Sequence, residues 1–221
     1  MSEPIPSATV VLLRDTPSGM KVLLLRRNSD IAYGGSWVFP GGRIDAHEFE
    51  QAGADALHAA RLAAVRETAE EASVAITEQD LVYFAHWTTP VIRPKRFSTW
   101  FFLASVSEKA VQIDGGEIHD FEWHIPSKAL IAQQEGQIEL PAPTFVTLIQ
   151  LSPFARVEDA LAHFRSVPPF EIQPNAVKTE SGLIFLYNGD AGHASHDPAA
   201  EGPRHRLLQP YTGHWQYICE L

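Results

Sequence analysis

Three glutamates follow one arginine within a single alanine-rich run, AAVRETAEEASV at residues 63–74. On a helix, residues three and four apart share one face, so Glu67, Glu70 and Glu71 project to the same side within about one turn. Carboxylates this close raise one another's pKa and destabilise the helix unless a cation compensates for them. Two interpretations follow: the triplet is a solvated helix face, as most such charge runs are, or it binds a divalent cation.

The residues around the triplet favour the cation site. Carboxylate oxygens are the ligands that suit Mg²⁺ or Mn²⁺. Arg66 lies four residues before Glu70 and can hold it in one rotamer. Upstream, the sequence FPGG places Gly41 and Gly42 where backbone can approach a ligand closely.

Apolar patterns predict the elements that position these residues. Helical spacing predicts a helix over residues 52–72, which contain nine alanines and no proline. Two strands are predicted around a turn that contains Gly19, and a short strand is predicted to stop at Pro40-Gly41-Gly42. Further predicted elements are strands at residues 81–89, 97–106 and 121–125, helices at 143–151 and 157–165, and a C-terminal set of strands from residue 170.

Composition excludes several classes of protein. The formal net charge of −10 argues against a general nucleic-acid binder, which needs a basic surface. The single cysteine, Cys219, excludes an internal disulfide and a cysteine-cluster metal site. The first residues lack a signal peptide, and no apolar run is long enough to span a bilayer. We therefore expect a soluble cytoplasmic protein that binds neither nucleic acid nor membrane.

The segment GGRIDAHE, together with RETAEEAS, resembles the signature of the Nudix hydrolases. That signature is glycine, five residues and glutamate, then a gap, then Arg-Glu-apolar-x-Glu-Glu-x-Gly-apolar. The matching positions are Gly42, Glu48, Arg66, Glu67, Glu70, Glu71 and Val74.

The match has three departures. The gap between Glu48 and Arg66 is ten residues longer than usual, which places an insert at about residues 49–60 of the box, 42–74. Thr68 replaces an aliphatic residue. Ser73 replaces the last glycine, which predicts a left-handed helix end at a cost of about 1 kcal/mol.

The resemblance implies an α/β Nudix fold, with a mixed sheet sandwiched by helices. The Nudix core then covers residues 1–140, and residues 141–221 form a helical and β-rich C-terminal extension packed on it. An apolar stripe runs along the second predicted helix of this extension, at residues 157–165, and the residue stretch before it. The stripe is either an ordinary packed face or a homodimer surface; its members are Phe154, Val157, Ala160, Leu161 and Phe164.

The resemblance also implies an enzyme that hydrolyses a diphosphate in a nucleotide derivative, with Mg²⁺ or Mn²⁺ as cofactor. It assigns Glu67 and Glu71 as metal ligands with the carbonyl of Gly41 or Gly42 nearby, and Glu70 as a ligand or the general base. Arg66 then orients these carboxylates. The catalytic candidates are therefore Arg66, Glu67 and Glu70, and the metal candidates are Glu67, Glu70, Glu71, Glu117 and Gly42.

Two further glutamates lie outside the predicted helix. Glu117 is included among the metal candidates because similar proteins carry a glutamate in a loop before a strand; the alternative is that Glu117 is a plain loop residue. Whether Glu48 reaches the metal across the insert stays open.

Two flanking segments indicate the substrate. LLLRRNSDIAYGGSWVFPGG is similar in part to the element of the coenzyme A diphosphatase branch, and HWTTPVIRPKRFSTWFFLA to its acyl-CoA relatives. Because arginine suits bidentate phosphate contacts, we expect Arg26, Arg43 and Arg96 to bind substrate. Surface ion pairs are the alternative for Arg96. ADP-ribose or NADH-type dinucleotides are the second substrate class, and a non-catalytic nucleotide sensor is the rival function.

Overall fold

The computed structural model describes residues 3–28, 35–107, 111–113 and 115–220. The strands are β1 (Ile5–Thr16), β2 (Gly19–Arg27), β3 (Trp37–Val38), β4 (Gly41–Arg43), β5 (Val82–Thr88), β6 (Phe97–Ser105), β7 (Ile118–His124), β8 (Phe170–Ile172), β9 (Asn175–Lys178), β10 (Gly182–Leu186), β11 (His205–Pro210) and β12 (Gln216–Cys219). The helices are α1 (Ala46–Gln51), α2 (Ala56–Ala72), α3 (Pro126–Gln134), α4 (Ala142–Leu151) and α5 (Val157–Ser166).

The strands form two sheets. A mixed sheet, flanked by helices, has the order β3-β2-β1-β6-β5-β8, with β4 paired to β1 and β7 paired to β2. The second sheet is antiparallel, in the order β12-β11-β10-β9. The pairing of β4 with β1 is important for the site because it fixes the two glycines: Ala8 faces Gly42 and Thr9 faces Gly41.

The chain divides into two compact units. The helix-bearing unit comprises residues 6–85 and 99–169, and the C-terminal-sheet unit comprises the described residues of 1–5, 86–98 and 170–221. All the residues of the predicted box lie in the helix-bearing unit, and residues 141–169 belong to it as well. Among the described residues, no helix has the length and apolar character needed to cross a membrane.

Helix α2 lies in the core through its alanines. Ala59, Ala60, Ala63 and Ala64 are all fully buried in the same apolar cluster as strand residues of β1, β2 and β6. Small side chains let the helix backbone approach the other members of that cluster closely. Helix α2 ends at Ser73, whose φ of 54° is left-handed, as its place in the motif predicts.

Most predicted elements are confirmed, with differences near the site. The helix predicted from residue 52 begins at Ala56, because Asp55 caps it by accepting the N–H groups of Leu57 and His58. Helices α1 and α3 were not predicted from the sequence. The short strand predicted to stop at Pro40-Gly41-Gly42 is β3, which ends at Val38, but β4, which begins at Gly41, was not predicted.

The apolar stripe of α5 packs inside the chain. Val157, Ala160, Leu161 and Phe164 are buried, and the ring of Phe164 meets that of Phe84 edge-on, with 4.8 Å between centroids. The ordinary packed face is therefore the interpretation that the structure supports for these residues.

Candidate active site

The two glycines of β4 bring strand backbone against the carboxylates of α2. The backbone N–H of Gly41 donates to Glu71 Oε2 at 2.9 Å. A Cβ atom added to Gly42 would lie 2.2 Å from Glu67 Oε1. Only glycine leaves room for Glu67 at this distance, so the loop and the helix meet as the FPGG sequence predicts.

Arg66 holds the glutamates in place. Its Nε donates to Glu48 Oε1 at 2.9 Å, and one terminal nitrogen donates to Glu67 at 2.8 Å and to Glu70 at 2.9 Å. The other terminal nitrogen donates to the Arg43 carbonyl at 2.9 Å and to Glu48 Oε2 at 3.4 Å. The guanidinium has five N–H donors, and these five contacts use all of them.

Glu48 contacts Arg66, which lies 18 residues further along the chain. Residues 49–60 form the end of α1, a turn through Gly53 and the first turn of α2. The Glu48 side chain is 3% exposed, and its Oε2 also accepts the Asp45 N–H at 2.8 Å. Both of its oxygens are therefore engaged, which makes Glu48 a residue that positions Arg66.

Two of the box carboxylates, Glu67 and Glu71, lie in an environment that disfavours their charge. Burial raises the pKa of Glu71 to about 8, against a lowering by the Gly41 N–H, and the charge of Glu67 raises it further. Burial also raises the pKa of Glu67, although Arg66 opposes the shift. Burial lowers the pKa of Arg66, but its bonds to Glu48 and Glu67 outweigh burial and raise that pKa above its ordinary value.

Glu117 lies beside the same carboxylates. It precedes β7, as expected, and its Oε2 accepts a hydrogen bond from an Arg27 terminal nitrogen at 3.0 Å. Its charge contributes to the raised pKa of both Glu67 and Glu71, whereas the charge of Arg27 lowers that of Glu71. The contact between Arg27 and Glu117 was not predicted from the sequence.

The donor set fits a divalent cation in type. Five glutamates and two arginines meet in this region: Glu48, Glu67, Glu70, Glu71, Glu117, Arg27 and Arg66. If all are ionised, the excess of carboxylates leaves a net charge of −3, which a hard, oxygen-seeking cation would reduce. In the described part of the chain no three such side chains are already gathered as a ligand group. Arg66 and the Gly41 N–H bind oxygens of the glutamates, so side-chain rotation would have to accompany the binding of a cation here.

The predicted substrate-binding arginines lie in two different settings. Arg26, in β2, and Arg43, in β4, are exposed residues of the helix-bearing unit. Arg96 lies in the C-terminal-sheet unit, is 9% exposed, and donates from Nε to the Thr89 carbonyl at 3.0 Å. Their role in binding substrate stays a prediction.

A family model described as the NUDIX domain matches residues 4–142 of the chain. The chain belongs to the Nudix family. This confirms the Nudix fold that the box predicted, with extra C-terminal strands and helices.

Solved Nudix structures share this fold. A Nudix hydrolase from Alicyclobacillus acidocaldarius is 24% identical, with a TM-score of 0.68 over 76% of this chain and 100% of that one. The Nudix domain of Shewanella oneidensis NrtR, solved in complex with ADP-ribose, is 21% identical, with a TM-score of 0.53 over 69% of this chain and 89% of that one. At these identities the likeness shows the fold. Membership of the Nudix family, whose members generally use divalent metals, supports a pyrophosphohydrolase that acts on nucleotide derivatives.

Proposed function

We propose that this Nudix protein hydrolyses the diphosphate linkage of coenzyme A or acyl-CoA with the help of Mg²⁺ or Mn²⁺. The observation that carries the proposal is the geometry of the box: Glu71 is buried and Glu67 is partly buried against the glycines of β4, while Arg66 holds Glu67 and Glu70. A helix face that merely met solvent would not withdraw these carboxylates from water.

Glu67, Glu71 and Glu117, with the Gly42 carbonyl, would hold the cation. When bound, a divalent cation neutralises diphosphate oxygens and lowers the pKa of a coordinated water. Glu70 differs from the other box glutamates because its side chain is 58% exposed. We assign it the removal of a proton from the attacking water, with its orientation set by Arg66.

The choice of coenzyme A depends on the segments on either side of the box. Arg26 and Arg43 are exposed in the unit that carries the box, and they can offer guanidinium groups to the phosphates of a nucleotide. Such contacts suit any dinucleotide. The second candidate is therefore ADP-ribose or an NADH-type dinucleotide, which the ADP-ribose complex of NrtR favours. The rival function is a sensor that binds a nucleotide without turnover, and the intact box glutamates favour the enzyme.

A substrate panel tests the proposal. The purified protein is incubated with coenzyme A, an acyl-CoA, ADP-ribose, NADH and diadenosine polyphosphates, with Mg²⁺, Mn²⁺ or EDTA, and the phosphomonoester products are separated. We expect metal-dependent cleavage, fastest with coenzyme A or acyl-CoA. Preference for ADP-ribose or NADH would select the second candidate, and binding without turnover would select the sensor.

A matched pair of variants tests the role of Glu70. We expect Glu70→Gln to lose about 100-fold or more in kcat, the range of a lost general base. Glu50→Gln removes an exposed glutamate of α1 and should keep wild-type turnover. Equal turnover of Glu70→Gln and wild type would refute the assignment of Glu70.

A further inference from the structure

Arg27 and Glu117 are brought together by an irregularity in the sheet. Where β2 pairs with β7, Arg26 faces Asp120 and Arg27 faces Ile118, so β7 contains one extra residue, His119, at this point. Such bulges redirect side chains and are common beside active sites. Beyond the bulge, the Asn28 N–H donates to the Glu117 carbonyl at 2.8 Å, which fixes the backbone of Glu117 beside the end of β2.

The contact between the two side chains uses only part of the Arg27 guanidinium. One terminal nitrogen of Arg27 donates to Glu117 Oε2 at 3.0 Å. The Nε of Arg27 is buried and has no hydrogen-bond partner among the described residues. A buried guanidinium N–H without an acceptor is unfavourable, so this group is suited to an additional anionic partner.

The position of the pair connects it to the box. The Arg27 N–H donates to the Ser36 carbonyl at 3.1 Å, in the segment that runs through β3 to the glycines of β4. In agreement with this placement, the charges of Arg27 and Glu117 both act on the Glu71 carboxyl. Glu117 can therefore serve either of two cations, the Arg27 guanidinium or a metal ion held by Glu67 and Glu71. Since the side chains of Arg27 and Glu117 are 25% and 63% exposed, their ion pair is weak enough to be exchanged.

We propose that the Arg27–Glu117 ion pair opens when a divalent cation binds, so that Glu117 turns to the cation and Arg27 becomes free to bind a phosphate oxygen of the substrate. The inference builds on the proposed function, because it assumes a metal site at the box. It makes Arg27 a phosphate-binding residue and links phosphate binding to prior metal binding.

Metal affinity measured without substrate tests the first half of the proposal. Mn²⁺ binding is followed by calorimetry for wild type, Arg27→Ala, Glu117→Gln and the double variant. We expect Arg27→Ala to bind Mn²⁺ roughly two- to fivefold more tightly, the range of an exposed ion pair, because the Arg27 guanidinium no longer competes with the metal for Glu117. In the Glu117→Gln background the same substitution should change the affinity little.

The control for this measurement is Arg26→Ala, which removes an equal charge from the adjacent, exposed position. Its Mn²⁺ affinity should match that of wild type. The proposal is overturned if Arg27→Ala tightens binding equally with and without Glu117, or if Arg26→Ala has the same effect, since simple charge repulsion would then explain the result.

Binding of ADP, which carries a diphosphate, tests the second half. We expect Arg27→Ala to weaken ADP binding about tenfold in saturating Mn²⁺, as for the loss of a charged hydrogen bond, and to have little effect in EDTA, where Glu117 occupies Arg27. Equal weakening in both conditions would show that Arg27 binds phosphate without release by metal. Absence of Mn²⁺ binding by wild type would instead refute the proposed function, so the two failures are distinguishable.

Discussion

At the scale of single residues, the geometry of Arg66 matters more than its charge. Its guanidinium reaches Glu48, Glu67 and Glu70 as well as a backbone carbonyl, in directions that only a planar fork can supply. A lysine would keep the charge but has a single nitrogen. We therefore expect Arg66→Lys to lower kcat about 10- to 100-fold, the usual effect of removing a group that orients metal ligands.

Steady-state kinetics at saturating Mg²⁺ measure this loss. Arg61→Lys is the matched control, because Arg61 lies on the same helix and donates to the carbonyls of Glu78 and Leu81, away from the box glutamates. Arg61→Lys should lower the free energy of unfolding and leave kcat unchanged. If Arg66→Lys turned over as fast as wild type, the orienting role of the fork would be wrong.

The raised pKa of Glu71 predicts how stability depends on pH without metal. Its folded pKa of about 8 lies above the ordinary value of 4.5, because burial disfavours the charged form. Between pH 4.5 and about 8 the Glu71 carboxyl holds a proton in the folded chain that it has lost in the unfolded chain. The free energy of unfolding therefore falls as the pH rises above 4.5 and stops falling above about 8.

Urea unfolding in EDTA at several pH values between 5 and 9 measures this dependence. Glu71→Gln cannot ionise at this position, so its stability should fall less over the same range. Glu50→Gln, at an exposed site, should follow wild type. Mn²⁺ binding below pH 8 should also release a proton from wild type, seen as a buffer-dependent heat, and parallel pH profiles for wild type and Glu71→Gln would contradict the assignment.

Part of the site is predictable from sequence because it is local. Glu67, Glu70 and Arg66 share one helix, so their common face follows from helical spacing alone. The contacts of Glu48 with Arg66 and of Glu117 with Arg27 bridge 18 and 90 residues of the chain. The first depends on α1, and the second on a bulge in β7, and neither has a period or spacing that a sequence pattern would reveal.

At the scale of elements, the adjacent glycines of β4 have separate roles. A Cβ on Gly41 would lie 2.4 Å from the Ala8 carbonyl oxygen and 2.7 Å from Thr9 Cα, both backbone atoms. The three atoms nearest to a Cβ on Gly42 all belong to the carboxylate of Glu67, at the end of a flexible side chain. We expect Gly41→Ala to destabilise the fold by about 1–3 kcal/mol, because β1 and β4 must separate.

Gly42→Ala should instead affect the metal site and not the stability of the fold. The flexible Glu67 side chain can move away, which leaves stability nearly unchanged but lowers Mn²⁺ affinity about 10-fold or more. Thermal unfolding and calorimetry on the two variants separate these effects. If both variants lost stability equally, or neither affected the metal, this division of roles would be incorrect.

The end of α2 offers a stabilising substitution. Ser73 adopts φ 54°, a conformation that costs a serine about 1 kcal/mol and a glycine little. We expect Ser73→Gly to raise the free energy of unfolding by about 1 kcal/mol. Ser152 ends α4 with φ −60°, so Ser152→Gly should be neutral or destabilising. Urea titrations of both variants compare them, and equal shifts would rule out the backbone explanation.

The elements missed from sequence are short or weakly patterned. α1 has six residues and only one large apolar side chain, Phe49, so no helical period is visible. α3 begins with Pro126 at its first turn, a recognised start signal that was available in the sequence. By contrast, the alanine-rich α2 and the paired strands β1 and β2 carry long patterns, and these were predicted nearly to their ends.

At the scale of the whole molecule, composition does not reveal the two compact units. The sequence changes character near residue 141, yet residues 86–98 group with the chain after residue 170. This grouping depends on contacts between distant segments, such as the hydrogen bond from the Ile5 N–H to the Arg96 carbonyl at 2.9 Å. Apolar runs predict strands but not which distant strands associate, so the division into these two units could not be predicted from the sequence.

The C-terminal-sheet unit is stabilised by a buried ion pair that can be tested separately from the box. Asp190 is fully buried and accepts two hydrogen bonds from Arg206 at 2.7 Å. The N–H groups of Gly192 and His205 complete its partners. Burial alone raises the pKa of Asp190, but the Arg206 and backbone hydrogen bonds outweigh it and lower the pKa to about 2.

We expect Asp190→Ala to destabilise the protein by about 3–5 kcal/mol, because Arg206 would be left buried without its counter-charge. Glu158→Ala breaks the exposed pair with Arg156 and should cost less than about 1 kcal/mol.

The ion pair also predicts how stability depends on pH. Since the folded pKa of Asp190 lies below its ordinary 3.8, the contribution of Asp190 to the free energy of unfolding is complete above that pH and is lost as the pH falls through about 2. Urea unfolding at pH 7 and at pH 3 measures both effects: the difference between wild type and Asp190→Ala should shrink at the lower pH. A constant difference would mean that lost packing, rather than the ion pair, accounts for the destabilisation.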